Sequence, residues 1–169
     1  MALRLDAELL RRMVRHVTYE FERLVFFAET RIAFDPSDRD PTQRVLNQAI
    51  AEAGLLHMRV VNEFLTNERP TGRERRRWTD LVADDYFDDG WDNRPGDLLS
   101  AEIRHLNRRL AHLTVERDDD FDPTFDWSTV FARWTVLRDE FGSFIRDLTE
   151  AHPDRGQWFF DAPMYPDRR

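Results

Sequence analysis

Residues 99–116 read LSAEIRHLNRRLAHLTVE, and two stripes within that stretch decide the fold class. Leu99, Ile103, Leu106, Leu110 and Leu113 recur at alternating spacings of four and three, the period that puts side chains on one face of an α-helix. Glu102, His105, Arg109, His112 and Glu116 recur at spacings of three, four, three and four, a second stripe rotated from the first by roughly a quarter turn at the helical pitch. One helix from about Asp97 to Glu116 therefore offers an apolar seam to a core and an ionisable seam beside it. Imidazole is the side chain most easily put to proton transfer or metal binding near neutral pH, so the ionisable seam is where chemistry is expected.

The same period extends outward in both directions. Leu10, Met13, Val17, Phe21, Leu24, Ala28 and Ile32 predict a first helix from about Asp6 to Ala33, with His16, Glu20, Arg23 and Phe27 on its flank. Pro36 and Pro41 bracket a turn. Asp40 then reads as an N-cap, Pro41 as the first helical residue and Gln43 as the far half of a capping box. The second helix runs to about Asn67 with the face Leu46, Ile50, Ala53, His57, Val61 and Phe64. Residues 68–95 read as a short helix and a packed loop. Downstream, an acidic connection from Asp118 to Asp126 leads to a last long helix, capped by Asp126 and beginning near Trp127. Its core face is Val130, Trp134, Leu137, Phe141, Phe144, Ile145 and Leu148, and Pro153 is expected to end it.

No segment alternates with period two for long enough to make a strand, and no repeat of 20–50 residues is present. The expected architecture is all-α: a bundle of four long helices plus one short helix, forming a single domain over residues 1–152. Residues 153–169 are expected to be a tail whose Trp158, Phe159, Phe160 and Tyr165 pack on the bundle or on a partner, because those aromatics are costly to expose.

Composition excludes several chemistries. The chain has 169 residues, enough for one compact domain, and 13 Phe and 5 Trp predict an aromatic-rich core. With no cysteine there is no disulfide, thiolate metal site or cysteine nucleophile. All 25 basic residues are arginine, so lysine Schiff bases and P-loops are excluded. A net charge of −8 makes the whole chain a poor polyanion binder, and any nucleic-acid contact must come from a local basic patch. No run approaches the roughly 20 apolar residues that span a membrane. No membrane partner is expected, and a cytoplasmic location is the default expectation.

Three further constellations accompany the ionisable seam. Glu102 and His105 form a Glu-x-x-His pair, but ferritin-like di-iron bundles need two such pairs and two more Glu. His16 and Glu20, four apart, or a set of His16, His57 and His105 are the remaining metal candidates, and Arg109 one turn away disfavours a cation. No metal and no cofactor is therefore assigned. His57 stands on an apolar face, where a histidine is expected either to be held by a carboxylate or Tyr or to point across a cleft toward His105 or His112. The basic run from Arg69 to Arg77, ending at Trp78, suits a single-stranded nucleic acid, or internal pairing with the acidic loop that follows it.

The stretch Leu106-Asn107-Arg108-Arg109-Leu110-Ala111-His112-Leu113-Thr114, on a late helix of a small all-helical chain, resembles the HEPN domains. The resemblance implies a bundle that dimerises and, in active members of toxin or defence type, a metal-independent RNase whose motif is Arg, four to six residues, then His. It implies Arg108 or Arg109 on phosphate, His112 as acid/base, and His105 or Glu102 orienting it. The motif spacing is not matched at His112: Arg109, Arg108 and Arg104 precede it with two, three and seven residues between, and Asn107 holds the position with four between. Literal matches occur at Arg11 with His16 and at Arg146 with His152, a number chance alone supplies in so Arg-rich a chain.

Three functions are thus expected in turn. The first is RNA binding with metal-independent cleavage as its catalytic form, using Glu102, His105, Arg108, Arg109 and His112. The second is a non-enzymatic homodimeric scaffold joined through the helix carrying Glu102–Glu116, each Glu facing the partner's Arg or His. The third is a metal-binding helical bundle.

Overall fold

A computed structural model describes residues 6–29, 40–69, 80–96 and 133–162, and every regular element among them is helical. Helix α1 spans Ala7–Glu29 and α2 spans Pro41–Thr66; a 3-10 turn covers Ala83–Tyr86; α3 spans Trp134–Ala151 and α4 spans Pro153–Asp161. The all-α expectation holds. The helix expected over 97–116 lies outside the described residues, as do the connection from Asp118 to Asp126 and the residues around Trp127.

The helix starts follow from their caps. The Asp6 carboxylate accepts the Leu9 N–H at 2.8 Å ahead of α1, and the Asp40 carboxylate accepts the Thr42 N–H at 2.8 Å ahead of α2. Each satisfies an amide with no partner inside its helix. Pro41 opens α2, where the missing proline N–H costs nothing. The last long helix ends ahead of Pro153 as expected: α3 stops at Ala151 and His152 leaves the helical conformation (φ −141°, ψ 80°). Pro153 then becomes the first residue of α4, so residues 153–161 of the expected tail form a second helix.

The helices pack with α1 on α2 and α4 folded back on α3, while both α1 and α2 also touch α3. Leu10, Val14 and Leu24 of α1 and Leu55, Met58, Val61, Phe64 and Leu65 of α2 are buried, with Val17 and Phe21 half-buried beside them. From α3 come Leu137, Phe141, Phe144 and Leu148. Trp158 and Phe159 of α4 pack against this core, whereas Phe160 stays 66% exposed. Gly156 permits the close α3–α4 approach: a Cβ there would stand 2.7 Å from the Thr149 Cα, so no larger residue fits without moving backbone.

Phe144 is the centre of the aromatic core. Its ring lies 5.4 Å from Phe64, 5.6 Å from Trp91, 6.0 Å from Tyr86 and 5.4 Å from Phe159, all near edge-to-face. This arrangement sets the positive edge of one ring against the negative face of the next. Tyr86, Phe87 and Trp91 belong to the segment read from sequence as a short helix and a packed loop. They make it as deeply buried as the helices.

Candidate functional site

The residues expected to carry chemistry, Glu102, His105, Arg108, Arg109 and His112, all lie outside the described residues, as does the rest of the basic run beyond Arg69. Among the described residues the chemistry-bearing groups collect in two places: the α1–α2 seam at His57, and the 3-10 turn with its arginines.

At the seam, α2 carries His57 on the side facing α1, and α1 brings Glu20 from its flank. The His57 Nδ1 lies 2.6 Å from the Glu20 Oε2, with the imidazole and carboxylate side chains 19% and 28% exposed. Phe27 stacks on the imidazole at 5.7 Å between centroids and 15° between planes, and Tyr19 meets it edge-on at 6.0 Å. A ring held by a carboxylate and two aromatics has one orientation. With Nδ1–H donating to Glu20, the neutral imidazole keeps its lone pair on Nε2, the acceptor that a general base requires. His57 is thus the carboxylate-held histidine of the sequence reading. Which carboxylate holds it was not legible: Glu20 and Glu22 lie close together on α1, and only packing selects Glu20.

The flank of α1 opposite Glu20 carries two further buried polar atoms. The Thr18 hydroxyl and one Glu22 carboxylate oxygen are buried without a hydrogen-bond partner among the described residues. Loss of water raises the Glu22 carboxyl above its ordinary range, and Arg23 next to it draws it part of the way back.

The 3-10 turn makes a contrasting cluster. Asp84 and Asp85 are buried, which aspartates tolerate when cations and N–H groups meet them. One Asp84 oxygen accepts the Trp91 N–H at 2.9 Å. The other takes Arg94 Nη1 at 2.9 Å and the Arg69 N–H at 3.2 Å. Asp85 accepts the Val82 N–H at 3.1 Å and pairs with Arg69 Nε at 3.0 Å. The Arg69 guanidinium also donates to the Asp84 and Phe87 carbonyls, and Arg94 reaches Glu68 at 2.7 Å. Gly90, at φ +96°, takes the left-handed conformation that closes the loop back on Asp84. Arg69, the first arginine of the basic run, is therefore committed to internal pairing.

Two side chains fasten this loop to α3 and α4. Trp91 Nε1 and Asn93 both donate to Asp147 at 2.9 Å. Burial pushes the Asp147 carboxyl up, but those two hydrogen bonds and Arg146 together hold it below the ordinary carboxylate range. Arg155 donates to the Tyr86 carbonyl and to Asp88, each at 2.7 Å, and these contacts lower the Asp88 carboxyl. The Tyr86 phenol donates to the Leu10 carbonyl at 3.2 Å, and its burial raises its ionisation far above the ordinary value.

Neither literal Arg–His motif match forms a site. Arg146 pairs with Asp147 at 3.6 Å while His152 lies 3.9 Å from Asp88, so the two answer to different carboxylates. Arg11 and His16 are both exposed and lie on opposite flanks of α1. Among the described residues no three His, Asp or Glu side chains are grouped to hold a metal ion. No described helix is long and apolar enough to cross a membrane.

Compared with protein-family models, with curated proteins and with solved structures, the chain gives no significant match.

Proposed function

We propose that this chain is a HEPN-like helical protein that binds RNA and, in its catalytic form, cleaves it without a metal. The observation that carries this reading is the seam Glu102, His105, Arg109, His112, Glu116. On the helix that its spacing predicts, it groups a guanidinium for phosphate with imidazoles for proton transfer. Arg108 or Arg109 holds the phosphate, His112 is the acid/base, and His105 or Glu102 orients it. His57, held by Glu20, supports the reading as an oriented imidazole elsewhere in the chain. The test is incubation of the full chain with mixed tRNA and single-stranded RNA in excess EDTA, beside His112→Ala and His57→Gln. Cleavage by the wild type and its loss in His112→Ala is the expected result. RNA binding and cleavage that are the same in His112→Ala as in wild type would remove the seam from the proposal.

The dimeric scaffold is the second reading, and one surface of α2 favours it. Val45, Leu56 and Val60 are 69%, 50% and 43% exposed, and Ala49 is exposed beside them. At 100° per residue these four positions fall within about 60° of one another, an apolar stripe opposite the buried face of the same helix. Self-association of the wild type in sedimentation, lost in Leu56→Glu/Val60→Glu, is the outcome this reading expects.

A further inference from the structure

Helix α1 has two polar flanks. One brings Glu20 to His57; the other, turned toward α4, carries Arg11, Arg12 and Arg15. Between that second flank and α4 lies an open groove of about 440 Å³, lined by these arginines and Glu8 on one side and by Trp158 and Asp161 on the other. Its size falls within the roughly 300–1,000 Å³ of small-molecule sites.

The arginines here differ from every other well-placed arginine in the fold. Arg69, Arg94 and Arg155 are committed to aspartates and carbonyls. Arg11, Arg12 and Arg15 are exposed and make no ion pair or side-chain hydrogen bond with any described residue. Arg11 and Arg15 are one turn apart on the same face, so their guanidiniums can converge on one group. Convergent guanidiniums without carboxylate partners fit a phosphate, which each binds through two parallel N–H donors. Trp158 is half-buried, packed on the core on one side and exposed to the groove on the other. An indole fixed in this way is a stacking surface for a flat, unsaturated ring. Glu8 and the Asp161 oxygen not engaged by Gln157 are carboxylate acceptors. They can take hydrogen bonds from sugar hydroxyls.

We propose that the α1–α4 groove binds a nucleoside phosphate, with the phosphate on Arg11 and Arg15 and Arg12 beside them, the base against Trp158, and the ribose hydroxyls toward Glu8 and Asp161. The ligand is either a free ribonucleotide or one unit of a single-stranded RNA. The site uses none of the residues from Glu102 to Glu116, so it stands or falls separately from the proposed seam.

Calorimetric titration of the full chain with adenosine monophosphate, its 2′-deoxy form, inorganic phosphate and a ten-residue oligoadenylate tests this. Adenosine monophosphate is expected to bind about tenfold or more tightly than phosphate alone, since the base stacked on one aromatic adds a contact that phosphate lacks. It is also expected to bind more tightly than the deoxy form. Much tighter binding of the oligomer than of the mononucleotide identifies a strand as the natural source; equal binding identifies the free nucleotide. Arg11→Gln/Arg15→Gln, at exposed helical positions that glutamine suits, should weaken binding by about tenfold or more with the circular dichroism unchanged. It should also reduce the salt dependence of oligomer binding. Binding by neither adenosine monophosphate nor the oligomer, phosphate binding as tight as nucleotide binding, or affinity unaltered in the double variant would each overturn the proposal. The same titration on His112→Ala keeps the two sites apart: nucleotide binding there is expected to match the wild type whatever becomes of RNA cleavage.

Discussion

Two sets of carboxylates in the same small bundle have been treated differently by the fold. Around Phe144, the buried Asp84 and Asp85 meet arginines and backbone N–H groups at nearly every oxygen. Along α1, Glu20 meets an imidazole, while Glu22 and Thr18 keep buried atoms with no hydrogen-bond partner among the described residues. Asp84, which takes Arg94 and two backbone N–H groups, holds a loop in place. Glu20 instead holds a single imidazole ring, between Phe27 and Tyr19.

The comparison is broken most directly at its aromatic centre. Phe144→Ala removes a fully buried ring that touches rings from α2, the 3-10 turn, α3 and α4. It should cost about 3–5 kcal/mol in urea unfolding. Next is Asp84→Ala, which leaves Arg69, Arg94 and the Trp91 amide without their shared acceptor. A loss of about 2–3 kcal/mol is expected. If Asp84→Ala were neutral, the first cluster would not be the fastening that its geometry describes.

Glu20→Gln should be milder, about 1 kcal/mol, because the pair is partly exposed and the amide can still accept from His57. Its sharper readout is chemical. The rate of modification of His57 by diethyl pyrocarbonate should change, since the ring loses the carboxylate that orients it. An unchanged rate would place His57 with the structural groups.

Acid titration separates the sides further. The Asp147 carboxyl is held below its ordinary range, so its contribution is present above the unfolded carboxylate value. It is lost as the pH falls through the lowered one. Trp91→Phe removes one of its two hydrogen bonds and should make the acid limb of the stability profile shallower. Glu22 has the opposite sign. Its raised carboxyl is penalised at neutral pH and relieved on protonation. Glu22→Gln should therefore raise the melting temperature slightly at pH 7, with the gain vanishing as the pH falls below the ordinary carboxylate range. A gain at pH 7 that persists in acid would mean that charge is not the cause.

How much could be read beforehand varies by residue. Asp40 before Pro41 announced the start of α2 because a cap acts over three residues. Leu137, Phe141, Phe144 and Leu148 announced the core face of α3 through their spacing alone. Val14, Leu55 and Met58 are as buried as any residue yet fell outside the faces read from the period. A helix packed against two neighbours buries a wider arc than one stripe. Tyr86, Phe87 and Trp91 lie in a segment with no period at all. Their aromaticity signalled packing, but nothing local showed where.

The sequence by itself determined that the chain is helical, where several helices begin, that the core is aromatic, and that cysteine and lysine chemistry are absent. These are properties of residue type and of spacing within a turn or two. Tertiary structure alone decided that Glu20 holds His57, that Asp84 gathers Arg69, Arg94 and Trp91, that Pro153 starts a helix folded back on α3, and that three arginines of α1 face Trp158 across a groove. Those partners are between 7 and 147 residues apart in the chain. Contacts of that kind are fixed by the docking of helix faces, which local periodicity orients but does not pair.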